Sequence, residues 1–488
     1  MNAAPDTGAR AARRRDRRVY TRSRPLLFAL LAAARRRPVL RLGGTVLVNG
    51  TEPYRHALTR IPLDRAAEGT TGGAARELAG GGSLFDEEGV GHRAARRAVA
   101  LDLGAAGVER LRPVWRAVLD RGLAPLATGD AVDLVPLARE LAGATVRVLL
   151  DVTADPADLS DAAAEVAAVA VRGHLPGPGR SRAARAAGPA AARLAALLRP
   201  AGHDDLDERV PDGAAGRDGS GGVGCETGGE AGRDASGEAG GDAGRDAGGK
   251  AGADVGREPG DDAGGEARRN AGGEVGSDAG QGAGGDAGQG AGGDAGQGAG
   301  GVAGGRAGRD TERDAARRAV LAVAAVNTTV AALPRAAAWC ADAGLWEQAA
   351  DSRSRAALVD ELLRVVAPSP LLPRVAAADA DLDGCPVRAG DRLILVARHA
   401  VHADDTPPDA RRPVAPAVAQ LVFGAGPHAC PGARLARAQL DDMLAALAPF
   451  RPSVVAARAD RRAALPGWRA LTVRATALAP GPDGGSPC

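Results

Sequence analysis

One cysteine sits where its chemistry can be used. It lies in Phe423-Gly424-Ala425-Gly426-Pro427-His428-Ala429-Cys430-Pro431-Gly432-Ala433-Arg434-Leu435-Ala436-Arg437, just before the helical stretch ARLARAQLDDMLAALAPF. The dipole and free amides at the start of such a helix favour a thiolate over a thiol. A thiolate is the form in which cysteine can bind a metal; the other reading of Cys430 is a small buried hydrophobe. Three further patterns could act with it. Glu361-Leu362-Leu363-Arg364 puts a carboxylate and a guanidinium on one helix face, where they can pair facing the core. Ala324-Ala325-Val326-Asn327-Thr328-Thr329 interrupts an apolar helical run with an amide and two hydroxyls, able to hold water or to bond back to the preceding turn. His92-Arg93-Ala94-Ala95-Arg96-Arg97 follows the acidic Phe85-Asp86-Glu87-Glu88, and Arg374 follows PSPLLP; donors and cations of this kind hold carboxylates when they converge and are solvated charges when they do not.

Taken together, these residues resemble the cytochrome P-450 family. The Cys loop matches the family's FGxGxHxCxGxxLAR signature at every fixed position. The resemblance implies that Cys430 is the axial ligand to the iron of haem b, donating electron density that favours O–O cleavage. It also implies that Phe423, Gly424, His428, Gly432 and Ala436 line the haem, with Gly424, Gly426 and Gly432 at positive φ so that backbone can approach the porphyrin. Glu361 and Arg364 match the family's ExxR ion pair. Its third member is sought in Pro408-Asp409-Ala410-Arg411-Arg412-Pro413, with Arg411 and Arg412 both open. Thr328 aligns with the residue that orders water for proton delivery to oxygen, while Asn327 replaces the usual acid and Ala325 the usual Gly. An amide holds water but does not relay a proton as a carboxylate does, so coupling of oxygen reduction to product is expected to be reduced. His92, Arg96, Arg374 and His428 are implied to hold the two haem propionates.

The implied activity is insertion of one oxygen atom from O2 into a small organic substrate, with tailoring of a secondary metabolite as the family-level expectation. Little sequence follows the Cys loop, so NAD(P)H electrons are expected through a separate reductase and ferredoxin, with Arg96, Arg97, Arg434 and Arg437 as a docking patch for the acidic ferredoxin. Substrate contacts are expected from the loop before His92, the central helix before Asn327, and Val365 to Leu371. The alternative is a haem-binding scaffold that has lost turnover and recruits partners.

The elements that must position these groups are mostly helical. RPVWRAVLDRGLAPLA, DLVPLARELAGATVRVLLDV and ARAAGPAAARLAALLRP repeat Leu, Val and Ala every three or four residues, and ERDAARRAVLAVAAVNTTVAALPRAAAWCADAG predicts a long helix buried on most sides. Strand-like pieces are few: LRLGGTVLVN, VRAGDRLILVA and WRALTVRATAL. The fold class is therefore mainly α with small β-sheets. It is interrupted over residues 213–310 by a Gly/Ala/Asp-rich stretch containing AGGDAGQGAGGDAGQG, which has too little apolar surface to offset its ordering entropy and is expected to be disordered. The expected organisation is a basic tail over 1–24, one enzyme domain split into 25–212 and 311–480 by the insertion, and a tail over 481–488.

Composition excludes some classes. Lys+Arg 62 against Asp+Glu 60 gives no global field for nucleic acid or a membrane surface. Aromatic residues make up only 2% of the 488, so Leu, Val and Ala must fill the core. Cys225, Cys340, Cys385, Cys430 and Cys488 are scattered and odd in number, which argues against a disulfide framework or a structural zinc site and for a reducing cytoplasm. The basic run before Leu26–Ala34 superficially resembles a signal peptide, but the stretch is read as an amphipathic first helix. A monomer is expected.

Overall fold

The structure, a computed structural model, describes residues 4–174, 180–199 and 299–476. The chain opens with α1 (Ala4–Ser23) and α2 (Pro25–Ala34), the hairpin β1 (Val39–Leu42) and β2 (Thr45–Val48), α3 (Thr51–Thr59), β3 (Leu63–Asp64), α4 (Thr71–Ala79), α5 (Gly89–Leu103), α6 (Ala105–Leu123), β4 (Ala131–Asp133), α7 (Leu134–Leu149), α8 (Pro156–His174) and α9 (Arg180–Leu197). After residues 200–298 come α10 (Ala299–Ala343), α11 (Trp346–Ala350), α12 (Ser352–Val366), β5 (Leu372–Ala376), β6 (Ala380–Leu382), β7 (Cys385–Val387), β8 (Arg392–Leu395), α13 (Ala397–Ala400), α14 (Pro416–Ala419), α15 (Ala433–Leu447), β9 (Ser453–Ala459) and β10 (Trp468–Arg474). The expected helices and strands are all present.

Periodicity explains the helix faces. In α6, Leu111, Trp115, Val118 and Leu119 are buried at spacings of three and four, and in α7 Leu134, Leu137, Ala138 and Leu141 do the same. Asp133 starts α7 by accepting the Val135 amide at 3.0 Å, and the same oxygen takes the Leu471 amide at 2.9 Å, tying the helix start to β10. The main core gathers Trp115, Leu141, Trp339, Leu362, Leu444 and Leu471 from α6, α7, α10, α12, α15 and β10. A second core lies under the five-stranded sheet, order β1-β2-β8-β5-β3, against Tyr54, Ala57 and Leu58 of α3. Helix α10 carries an apolar stretch, Asp314–Ala343, long enough to cross a bilayer. It is a core helix: Ala331 to Cys340 are all buried.

Two expectations change. Residues 1–24, expected as a basic tail, contain α1, which docks on the core through buried charges. Asp16 pairs with Arg335 at 2.7 Å and with Arg398 at 3.2 Å, and Tyr20 accepts from both arginines and donates to the Val366 carbonyl at 2.8 Å. The reason is periodicity hidden by composition: Ala12, Asp16, Val19 and Tyr20 form a narrow buried stripe between exposed arginines. Helix α10 also begins at Ala299, inside the stretch expected to be disordered; of that stretch, residues 213–298 lie outside the described residues. Strand β9 was not legible in its Ala/Arg-rich sequence and forms by pairing antiparallel with β10.

Candidate active site around Cys430

Helix α15 aims the Cys loop. Asp442, 5% exposed, accepts from Arg112 at 2.8 Å, Trp115 at 2.9 Å and Arg116 at 2.7 Å, locking α15 to α6. On its other face Gln439 donates to Thr145 at 3.1 Å and contacts the Thr329 hydroxyl at 3.4 Å, joining α15 to α7 and to the polar step of α10. The loop folds back on itself: the Cys430 amide donates to the Phe423 carbonyl at 2.7 Å, and the Gly432 amide points at the Cys430 sulfur. Gly424 and Gly426 take φ of +79° and +70°, and a Cβ on Gly426 would sit 3.3 Å from the Leu58 carbonyl oxygen. Gly432, expected at positive φ, instead has φ −83° because it is the N-cap of α15. Ala436 lies one turn in, its amide bonded to the Gly432 carbonyl at 2.9 Å, and Phe423 lies under the Arg437 guanidinium at 4.6 Å.

Around this loop the fold gathers donors and cations from distant segments. His92, on α5, is 3% exposed and stacks on His428 with ring centroids 3.8 Å apart. Arg96, one turn on, donates to the Ala429 carbonyl at 2.5 Å. Arg374, on β5, donates to the Pro373 carbonyl at 2.8 Å and has its Nε without a partner; His92 Nε2 is likewise buried and unpartnered. Burial, then Arg65, His92, Arg374 and Arg96, push the His428 imidazole down to about 3. Burial, then Arg65, lower Arg374 to about 10. The Cys430 thiol is pushed up by its protein surroundings, against the pull of the Gly432 amide, Arg96 and Arg437. A thiol in that balance becomes a ligand anion when a metal ion supplies the missing positive charge.

The ion pair is in place. Glu361 and Arg364 are 1% and 0% exposed and meet at 2.6 Å. Neither Arg411 nor Arg412 completes it: Arg412 is exposed and pairs with Asp409, while backbone does the work. Glu361 accepts the Val414 amide at 3.1 Å, and Arg364 donates to the carbonyls of Val401, His402 and Thr406, each at 3.1 Å. Main chain thus supplies both the further donor to Glu361 and the further acceptors for Arg364.

The polar step of α10 is turned inward. Thr328 donates to the Ala324 carbonyl at 2.8 Å, the back-bonded geometry, and its oxygen keeps acceptor capacity for water. Asn327 donates to the Val323 carbonyl at 2.8 Å and to Ala163 of α8 at 3.3 Å, so its amide also ties two helices together. Of the expected docking patch, Arg97 and Arg434 are exposed, whereas Arg437 is committed to Asp360 at 2.6 Å and Gln420 at 2.7 Å, and Arg96 to the Cys loop.

The model of the cytochrome P450 family matches residues 356–451, which contain the buried ion pair and the whole Cys loop. That segment of the chain is similar to the cytochrome P450 family. The chain is 39% identical over 98 residues to the 20-oxo-5-O-mycaminosyltylactone 23-monooxygenase of Streptomyces fradiae; that stretch is 20% of the chain and spans about a quarter of the relative's length (23%). Its fold resembles P450BioI, solved with a hexadecenoic acid-ligated acyl carrier protein, at TM-score 0.60 and 15% identity, covering 93% of this chain and 99% of that one. It also resembles a mutant of P450 EryK solved with erythromycin B, at TM-score 0.58 and 20% identity, covering 95% and 98%.

The cytochrome P450 family implies haem, and the residues gathered around Cys430 fit it. Several cationic or donor groups, two of them with unpartnered buried nitrogens, converge beside one thiol, and the nearest carboxylate in that cluster, Glu88, lies 3.9 Å from Arg65. A dianionic ligand would supply the missing counter-charge. Two members of the cluster escaped the sequence: Arg65, 9% exposed, and Tyr54, fully buried with an unpartnered hydroxyl. Only their alternation with buried Ala57, Leu58, Ile61 and Leu63 hinted that they face inward.

Proposed function

We propose that this chain is a haem-thiolate monooxygenase of the cytochrome P450 kind acting on a small organic substrate, with Cys430 as the iron ligand. The observation that carries it is the Cys430 loop set among the cationic and donor groups His92, Arg96, Arg374 and His428, which ask for an anionic cofactor. Bound haem would supply the iron that activates O2 and accepts electrons one at a time. The chain's own residues do the rest. The Gly432 amide and the start of α15 stabilise negative charge on sulfur. His92, Arg96, Arg374 and His428 would hold the carboxylates, and Phe423, Gly424, Gly432 and Ala436 shape the sulfur side. Thr328 would order a water through its free lone pairs, and Asn327 hold that water without relaying its proton. Glu361 and Arg364 hold α12 against the segment leading into the loop.

Electrons are proposed to come from NAD(P)H through a separate reductase and ferredoxin, docking near Arg97 and Arg434 in a reducing, cytoplasmic setting. The name of the Streptomyces relative and the erythromycin B in P450 EryK support a macrolide-like secondary metabolite as substrate class. Reduced full-length protein with CO is expected to absorb at about 450 nm, and Cys430→Ser to lose that band. Retention of the band in Cys430→Ser would refute the assignment. The internally satisfied Asn327 and Thr328 favour one second reading, a haem-binding scaffold with little turnover. A normal CO band without substrate-dependent oxidation, in the presence of surrogate redox partners, would select it.

A further inference from the structure

Arg65 directly follows β3. The antiparallel register pairs Leu63 with Ala376 and Asp64 with Val375, so one residue further on Arg65 stands beside Arg374. Like charges placed side by side on a sheet repel, and burial sharpens the repulsion. Arg65 is 9% exposed, and the carboxylate nearest to it, that of Glu88, is 3.9 Å away on a side chain that is itself 59% exposed. Arg374 Nε has no partner. Tyr54, from α3, is fully buried with its hydroxyl unpartnered, and the Arg374 charge acts on it. Two neighbouring guanidiniums and an orphaned phenol make up a donor set lacking its acceptor.

We propose that Arg65, Arg374 and Tyr54 form a clamp that closes on one haem carboxylate, with Arg65 and Tyr54 as cofactor-binding residues of this chain. The proposal rests on the haem reading above. Planar guanidiniums can each give a carboxylate two parallel N–H bonds, and the tyrosine hydroxyl adds a third donor. The clamp borders the His92–His428 stack, since Arg65 and Arg374 both act on His428, and Arg96 remains for the other carboxylate. Removing Arg65 relieves a repulsion in the haem-free chain while weakening the hold on haem. A merely structural arginine would weaken both.

The test is haem loss from the full-length holoprotein to an excess of apoglobin, followed at the Soret band, for haem and for haem dimethyl ester. Arg65→Leu is expected to speed haem loss about tenfold or more, and Tyr54→Phe severalfold, in line with loss of charge-assisted and neutral hydrogen bonds. With the dimethyl ester, which lacks the carboxylates, both variants are expected to match the unsubstituted protein. The haem-free melting temperature is expected not to fall in either variant. Equal loss rates with haem, or equal acceleration with haem and its ester, would overturn the clamp. Absence of the CO band at about 450 nm in the unsubstituted protein would instead overturn the haem-thiolate reading and the clamp with it. Tyr54→Phe keeps the shape of the buried ring, so the test stands even if Arg65→Leu folds poorly.

Discussion

His92 and His428 lie face to face, ring centroids 3.8 Å apart and planes tilted by 30°, although one sits on α5 and the other in the Cys430 loop. Two stacked imidazoles among arginines disfavour each other's protonation, so folding lowers both. Burial and Arg96 lower His92, while burial and Arg65 bring His428 to about 3.

That arrangement sets an acid limit on the haem-free protein. The unfolded chain protonates these imidazoles near pH 6.5, whereas the folded chain protonates both at lower pH, His428 at about 3, so the unfolded state binds more protons in between. Stability is therefore fully present above about pH 6.5 and declines as pH falls toward about 3. Urea midpoints measured across that range should show the decline, and His428→Gln should flatten it.

Glu361→Gln leaves Arg364 buried with a weakened partner. Breaking one side of a fully buried pair costs about 3–5 kcal/mol, and amide replacement should fall at the low end because Gln can still accept from Arg364. Arg364→Ala should be worse, leaving Glu361 charged and the carbonyls of Val401, His402 and Thr406 without this donor. Denaturant unfolding of the two variants checks the order.

Asp16→Ala should behave as a core mutation despite its place in a basic N-terminal run. Arg335 and Arg398 would lose their shared carboxylate, at a cost of about 3–5 kcal/mol. Arg14→Ala on the exposed side of α1 should change stability by no more than about 0.5 kcal/mol. Similar melting temperatures for both variants would show that α1 does not dock.

Asn327→Asp sets function against stability. A carboxylate can relay protons, so the fraction of reduced oxygen that ends in product should rise if the chain turns over. The same carboxylate would face the carbonyls of Val323 and Ala163, which the amide now satisfies, and should destabilise by about 1–3 kcal/mol. The ratio of product formed to NAD(P)H consumed, together with a melting curve, separates the two effects. Thr328→Val should lower that ratio with little loss of stability, because its hydroxyl bonds only within its own helix.

The sequence by itself determined the parts whose physics is local. The Cys430 loop is a contiguous run in which glycines, a thiol and a helix start each have a short-range role, and the three- and four-residue spacing of α6, α7 and α10 is set by helix geometry. The pair of Glu361 and Arg364 was legible for the same reason. Tertiary structure decided what depends on segments far apart in the chain. It closed the ion pair with backbone of residues 401–414 rather than with Arg411 or Arg412, and it turned the N-terminal arginine run into a docked helix through Asp16. Strand register alone set Arg65 beside Arg374. Charges carry no local signature of their partners: whether an arginine is solvated, paired or waiting for a ligand depends on which distant segment folding brings against it, and how much water that contact excludes.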